Sequence, residues 1–83
     1  MNIFVGNLNF KVEEHDLEGL FEEYGTVSSA KIITDKFSGR SRGFGFVIMD
    51  DNDEANKAIS ELNGSSYQDR EIVVNEAKPR RNN

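Results

Sequence analysis

The residues with the clearest chemical potential in this chain lie in the stretch 42–49, R-G-F-G-F-V-I-M. Because side chains alternate between the two faces of a strand, Arg42, Phe44 and Phe46 would share one face of it. Arginine is rarely buried without a partner, so we expect this face to be open to solvent. Two exposed rings beside a cation could stack flat apolar groups and hold negative charge, and a nucleic-acid strand offers both.

The elements that position this strand follow the order βαββαβ. Alternating apolar residues predict four strands, over 2–8, 27–34, 42–49 and 71–75. Apolar residues at helical spacing predict one helix over 14–24 and a second that ends at Leu62, with Asp51 or Asp53 as its N-cap. We therefore predict an α+β fold, a ferredoxin-like βαββαβ sandwich whose four-stranded antiparallel sheet carries both helices on one face.

The composition is that of one small soluble domain. We expect this domain to span residues 1–78 of the 83, followed by a mobile basic tail over 79–83. The chain has no cysteine, which excludes a disulfide framework and a thiolate zinc site and fits a cytoplasmic location. No apolar run approaches membrane-spanning length. We expect a monomer with no cofactor, no metal site and no membrane contact.

The net charge of −5 would disfavour a polyanionic ligand if it were spread evenly. The charge is spread unevenly. Residues 13–24 hold six acidic residues and no basic one, and residues 50–63 hold five acidic residues and one basic one. These two segments, which contain the predicted helices, carry −10 and leave +5 for the remainder of the chain. We expect acidic helices on one side of the sheet and a basic surface on the other.

Two signatures in the chain resemble those of the RNA recognition motif. The octapeptide 42–49 follows that family's pattern of a basic residue, glycine, an aromatic residue, a small residue, a second aromatic residue and valine. It departs from the pattern only at Met49, which strand parity turns toward the core. The hexapeptide 3–8, I-F-V-G-N-L, is similar to the family's second signature. The runs 38–43 and 74–77 are similar to those of short bacterial, cyanobacterial and plant glycine-rich members.

The resemblance implies that the first and third strands are neighbours, so that Phe4 joins Phe44 and Phe46 in one aromatic platform. In the family, the first-strand ring and the first octapeptide ring each stack a base, roles that map here onto Phe4 and Phe44, while Phe46 would pack between riboses. Arg42 would contact phosphate, and the chain around Asn75 would hydrogen-bond base edges. The complete predicted RNA-binding set is Phe4, Asn7, Lys31, Arg40, Arg42, Phe44, Phe46, Asn75, Ala77, Lys78 and Arg80.

These features predict a non-enzymatic protein that binds about two to four nucleotides of single-stranded RNA, with single-stranded DNA left open as a second ligand. Such a protein could act as an RNA chaperone or a post-transcriptional regulator, roles that only the resemblance supports. The alternative is a protein-interaction module that binds a protein partner through its acidic helices. An acyl-phosphate hydrolase of the same topology is disfavoured, because the sequence has no phosphate-cradling glycine loop and no visible nucleophile–base pair.

Three further features have simpler interpretations. His15 stands alone on an acidic helix and is expected to be a surface residue rather than a metal ligand. Gly43 and Gly45 lie inside a strand, so we expect them to allow close helix packing rather than to cradle a dinucleotide. Phe37, in the predicted hairpin loop 36–41, is expected to fold onto neighbouring methylenes, and the alternative is a fourth stacking ring.

Overall fold

The computed structural model describes residues 1–77 and contains every helix and strand that the sequence pattern predicts. Its elements, in chain order, are β1 (Asn2–Gly6), α1 (Glu14–Glu22), β2 (Ser29–Thr34), β3 (Ser41–Ile48), α2 (Asn52–Leu62), β4 (Ser66–Tyr67), β5 (Arg70–Glu71) and β6 (Val73–Glu76). Strands β2, β3, β1 and β6 form one antiparallel sheet in that spatial order. This arrangement confirms the predicted ferredoxin-like βαββαβ fold.

The main departure from the predicted topology is a short hairpin in which β4 pairs with β5. Each of its strands has two residues, too few for an alternating pattern to be visible in the sequence. Its turn consists of Gln68 and Asp69, which adopt φ angles of 51° and 66°. Two successive positive φ angles are typical of two-residue hairpin turns. Such turns are usually recognised in a sequence by asparagine, aspartate and glycine.

The core lies between the helix-bearing face of the sheet and the two helices. The odd-numbered positions of β1 and β3 point into it, where they meet side chains of α1 and α2. Met49 is fully buried, as strand parity predicts. The even-numbered positions, which carry the phenylalanines, therefore lie on the opposite face of the sheet. The buried hydrophobic residues are Ile3, Val5, Leu8, Val12, Leu17, Phe21, Ile32, Val47, Met49, Ala55, Ala58, Leu62, Ile72 and Val74.

Both helices begin with acidic residues that satisfy free backbone groups. At the start of α1, the backbone N–H of Glu13 donates to a carboxylate oxygen of Asp16 at 2.9 Å. At the start of α2, Asp51 accepts from the backbone N–H of Glu54 at 3.0 Å, so Asp51 is the N-cap of the two candidates. Within residues 1–77, neither helix is long and apolar enough to cross a membrane.

The two strand glycines allow close approach of the backbone rather than helix packing. A Cβ added at Gly45 would collide with the carbonyl oxygen of Lys31 on the neighbouring β2. At Gly43, whose φ is +82°, an added Cβ would lie 3.1 Å from the ring of Phe10 and 3.3 Å from the carbonyl oxygen of Leu8. The predicted helix contact is therefore wrong, because the nearest atoms belong to β2 and to the β1–α1 loop.

Candidate nucleic-acid interface

Three phenylalanines form one aromatic platform, defined here as Phe4, Phe44 and Phe46, on the sheet face opposite the helices. Phe4 pairs with Phe46 across the β1–β3 ladder. The ring centroids lie 5.9 Å apart for Phe4 and Phe44, 5.8 Å for Phe4 and Phe46, and 6.4 Å for Phe44 and Phe46. All three side chains are only half-buried. The rings therefore support one another in tilted and edge-on contacts while each keeps surface available to a ligand.

Gly6 provides the space that the Phe4 ring occupies. Both residues point to the open face of β1, and a Cβ added at Gly6 would lie 2.8 Å from Cε2 and 2.9 Å from Cζ of Phe4. The ring thus lies along the strand over a position without a side chain. Gly6 itself is buried under that ring.

We expect Gly6→Ala to weaken RNA binding by about 1 kcal/mol, because the added methyl displaces the Phe4 ring from its position over the strand. The fold should persist, since Gly6 does not require a positive φ angle. Fluorescence anisotropy with short single-stranded RNA measures the affinity, and the NMR shifts of the Phe4 ring protons report the displacement. Gly19→Ala is the matched control, because an added Cβ at Gly19 meets nothing within 4 Å. Equal affinity for wild type and Gly6→Ala would contradict this account of Gly6.

Two predicted cations flank the platform on neighbouring strands. The guanidinium carbon of Arg42 lies 6.0 Å from the centroid of the Phe44 ring. Lys31 on β2 is opposite Phe46 in the ladder, and both cations are exposed. Within residues 1–77, ion-pair distances join only His15 to Glu13 and Asp16, so neither Arg42 nor Lys31 is in direct contact with a carboxylate. Both charges can meet an anionic ligand.

Asn7 has a structural role that the sequence did not indicate. Its side-chain amide donates to the carbonyl oxygen of Glu71 at 2.7 Å, and its side-chain oxygen accepts from the guanidinium of Arg70 at 2.6 Å. The residue also adopts a φ of 55°. These contacts tie the end of β1 to β5 across more than sixty residues of sequence. The polar atoms of the Asn7 side chain therefore already have partners within the protein. A role for Asn7 in RNA binding stays a prediction.

The predicted residues of β6 lie beside the first strand. Asn75 is exposed and pairs with Phe4 in the β1–β6 ladder, so its side chain borders the platform. Ala77 is half-buried, and its backbone N–H donates to the carbonyl oxygen of Asn2 at 2.8 Å. Lys78 and Arg80, together with the predicted tail over 79–83, lie outside the described residues.

The β2–β3 loop, residues 35–40, is closed by Asp35. Its side-chain oxygen accepts from the backbone N–H groups of Phe37 at 2.7 Å and Ser38 at 3.2 Å. These hydrogen bonds hold the pKa of the Asp35 carboxyl below its usual value. Phe37 is 91% exposed, so the prediction that its ring folds onto neighbouring methylenes is wrong. Arg40 is exposed on the same loop.

An exposed phenylalanine on the helix side, Phe10, was missed by sequence reasoning. It is 66% exposed and lies in the β1–α1 loop, against Gly43. Together with Val12 and Ile32 it lines an open groove between the start of α1 and the β2–β3 hairpin. The spacing of Phe10 matches neither the strand nor the helix pattern, so the sequence contains no signal for its position.

His15 is a surface residue, as predicted. Its side chain is 76% exposed, and its two ring nitrogens lie 3.6 Å from a carboxylate oxygen of Glu13 and 3.4 Å from one of Asp16. The cluster stands at the start of α1, on the helix side of the molecule. It therefore adds to the acidic helical surface rather than to the open face of the sheet.

Comparison with known proteins places this geometry in a family. The sequence pattern of the RNA recognition motif matches residues 3–73. A Synechocystis protein named as the RNA-binding protein RbpA is 46% identical over 82 residues, which are 99% of this chain and 81% of that protein. The crystal structure of RNA Binding Protein PG1 is 54% identical with a TM-score of 0.93 and 99% coverage of both chains. A structure of the Sxl-lethal protein in complex with RNA is 28% identical with a TM-score of 0.88, covering 94% of this chain and 47% of that one.

Proposed function

Because this chain belongs to the RNA recognition motif family, we propose that it binds single-stranded RNA on the open face of its sheet. The observation that carries the proposal is the aromatic platform, three mutually contacting rings that point away from the core. Rings in that position do not stabilise the helix-bearing core, whereas they offer flat surfaces to unpaired bases. The RNA complex of a relative with the same fold supports the choice of ligand.

The platform sets the length and strength of the proposed site. Phe4 and Phe44 each stack one base, and Phe46 packs against ribose between them, as the family resemblance implies. Each stacked base contributes about 1 to 3 kcal/mol. Binding is therefore short, about two to four nucleotides, and weak, with dissociation constants between about millimolar and submicromolar.

The exposed polar residues around the platform position the strand. We assign Arg42 and Lys31 to phosphate contacts, because both are cationic, exposed and next to a platform ring. Asn75 is assigned to base-edge contacts, because its side chain borders Phe4 on the neighbouring strand. Phosphate contacts fix register, whereas base-edge contacts select sequence. A role as an RNA chaperone or a post-transcriptional regulator is supported by the family resemblance alone.

Salt dependence tests the assigned phosphate contacts. With about two to four such contacts, the slope of log K against log salt should be near −1.5 to −3. Arg42→Gln should make this slope shallower by about 0.7 and leave base preference unchanged, because a phosphate contact carries no sequence information. The measurement is a salt series by fluorescence anisotropy on two RNA sequences.

Lys57→Gln is the control for this series, because it removes the same charge from an exposed position of α2, on the helix side. Its slope should equal that of wild type. A wild-type slope of zero would remove phosphate contacts from the proposal. A change of base preference in Arg42→Gln would assign Arg42 to base readout instead.

A further inference from the structure

The β2–β3 loop presents a ring that the platform does not include. At 91% exposure, Phe37 contributes almost nothing to the core, whereas the platform rings are half-buried. Leaving a phenylalanine in water forgoes the free energy that its burial would provide. The ring is therefore available to a ligand and has no structural partner among residues 1–77 other than the neighbouring Lys36.

The backbone that presents Phe37 is held in place by hydrogen bonds. Asp35 accepts from the N–H groups of Phe37 and Ser38 through its side chain, at 2.7 and 3.2 Å. Its backbone N–H donates to the carbonyl oxygen of Arg40 at 2.8 Å, and its carbonyl oxygen accepts from Gly39 at 2.7 Å. Gly39 completes the turn with a φ of +74°. A loop ordered before binding loses less conformational entropy when a ligand arrives.

The β2–β3 loop carries two cations, Lys36 and Arg40, against the one carboxylate of Asp35, so its net charge is positive, like the charge beside the platform. The Lys36 ammonium lies 5.8 Å from the Phe37 ring centroid, and Arg40 is exposed on the same loop. Thr34 and Ser41 pair at the base of the loop, so β3 leads from it directly to Arg42 and Phe44. A strand of RNA that continues from the platform past Arg42 would reach a fourth ring, Phe37, with Lys36 beside it.

We propose that Phe37 is a further RNA contact, which stacks a base beyond the nucleotides held on the platform while Lys36 contacts the accompanying phosphate. The proposal rests on the proposed function, since it requires RNA to occupy the platform. The pairing of a flat ring with a cation fits a nucleotide, which carries a base and a phosphate together. The binding site thereby becomes longer than the open sheet alone allows.

The test compares Phe37→Ala with wild type on two pools of fluorescently labelled random-sequence RNA, about four and about ten nucleotides long. The short pool fills the platform, whereas the long pool can also reach the loop. Phe37→Ala should bind the long pool about 5- to 30-fold more weakly and the short pool as well as wild type does. Thermal melting should be unchanged, because the side chain is exposed.

Two more variants define the nature of the contact. Phe37→Tyr keeps an aromatic face and should bind the long pool like wild type. Phe37→Leu keeps an apolar side chain without that face and should behave like Phe37→Ala. If Phe37→Leu retains full affinity, the contact is not stacking and the proposal is overturned.

Phe44→Ala separates this proposal from the proposed function. It should weaken binding to both pools, because Phe44 belongs to the platform. If Phe44→Ala weakens both while Phe37→Ala binds both pools like wild type, the Phe37 contact is overturned and RNA binding on the sheet stands. Equal losses on both pools in Phe37→Ala would also overturn a separate site beyond the platform. If Phe44→Ala weakens neither, the proposed function itself fails.

Discussion

The double variant Phe4→Ala/Phe44→Ala is expected to lose about 2 to 6 kcal/mol of RNA-binding free energy while it keeps its fold. Each ring supplies the surface for one stacked base, and both lie on the sheet face opposite the core. Their centroids are 5.9 Å apart, so the two losses should not be strictly additive. Fluorescence anisotropy of the two single variants and the double variant measures the losses and the coupling between them.

Phe10→Ala is the control for this double variant. Phe10 is also an exposed phenylalanine, but it lies in the groove beside α1, on the side of the helices. Its removal should leave RNA affinity unchanged. Circular dichroism and thermal melting must show that all variants fold. A folded Phe4→Ala/Phe44→Ala protein with wild-type affinity would rule out stacking on the platform.

Gly45→Ala is expected to lower the free energy of unfolding by about 2 to 3 kcal/mol, a loss typical of severe overpacking. An added Cβ would collide with the carbonyl oxygen of Lys31 and lie 3.2 Å from Cα of Ile32, both on the neighbouring β2. Backbone atoms of a paired strand cannot move aside without weakening the β2–β3 ladder. The midpoint of thermal unfolding should fall by about 10 to 20 °C.

Urea denaturation followed by circular dichroism measures this loss. Gly19→Ala is the matched control, since Gly19 lies in α1 with open space around the added Cβ. That variant should gain up to about 1 kcal/mol, because alanine has the higher helix propensity. If Gly45→Ala is as stable as wild type, the observed register between β2 and β3 is incorrect.

Strand parity explains why the platform could be predicted from the sequence. The alternation in 42–49 predicts that Phe44 and Phe46 lie on one face of the strand and Met49 on the other. The structure confirms both positions. Arg42 indicates which of the two faces is exposed to solvent, because burial of an unpaired guanidinium is energetically costly. The position of Phe4 beside these rings required more than periodicity, since the order of strands in a sheet depends on the whole fold.

The features that escaped prediction depend on contacts between distant residues or on single backbone angles. Asn7 meets Arg70, which is 63 residues away, and nothing in either local pattern signals that pair. The β4–β5 hairpin turns through Gln68 and Asp69 at positive φ, without the glycine that usually marks such a turn. Phe37 is a local exception, because Asp35 binds its backbone N–H from two residues away, while no sequence pattern indicates whether its ring is buried.

Residue-resolved NMR titration with short random-sequence RNA tests the central claim most directly, because it locates the bound strand on the molecule. RNA binding on the open face predicts shift changes at Phe4, Phe44, Phe46 and the neighbouring Lys31, with the exposed faces of α1 and α2 unaffected. Glu18 and Glu22, exposed on α1, serve as reporters for the helix side. Shift changes concentrated on the two helices, with the sheet unaffected, would contradict the account.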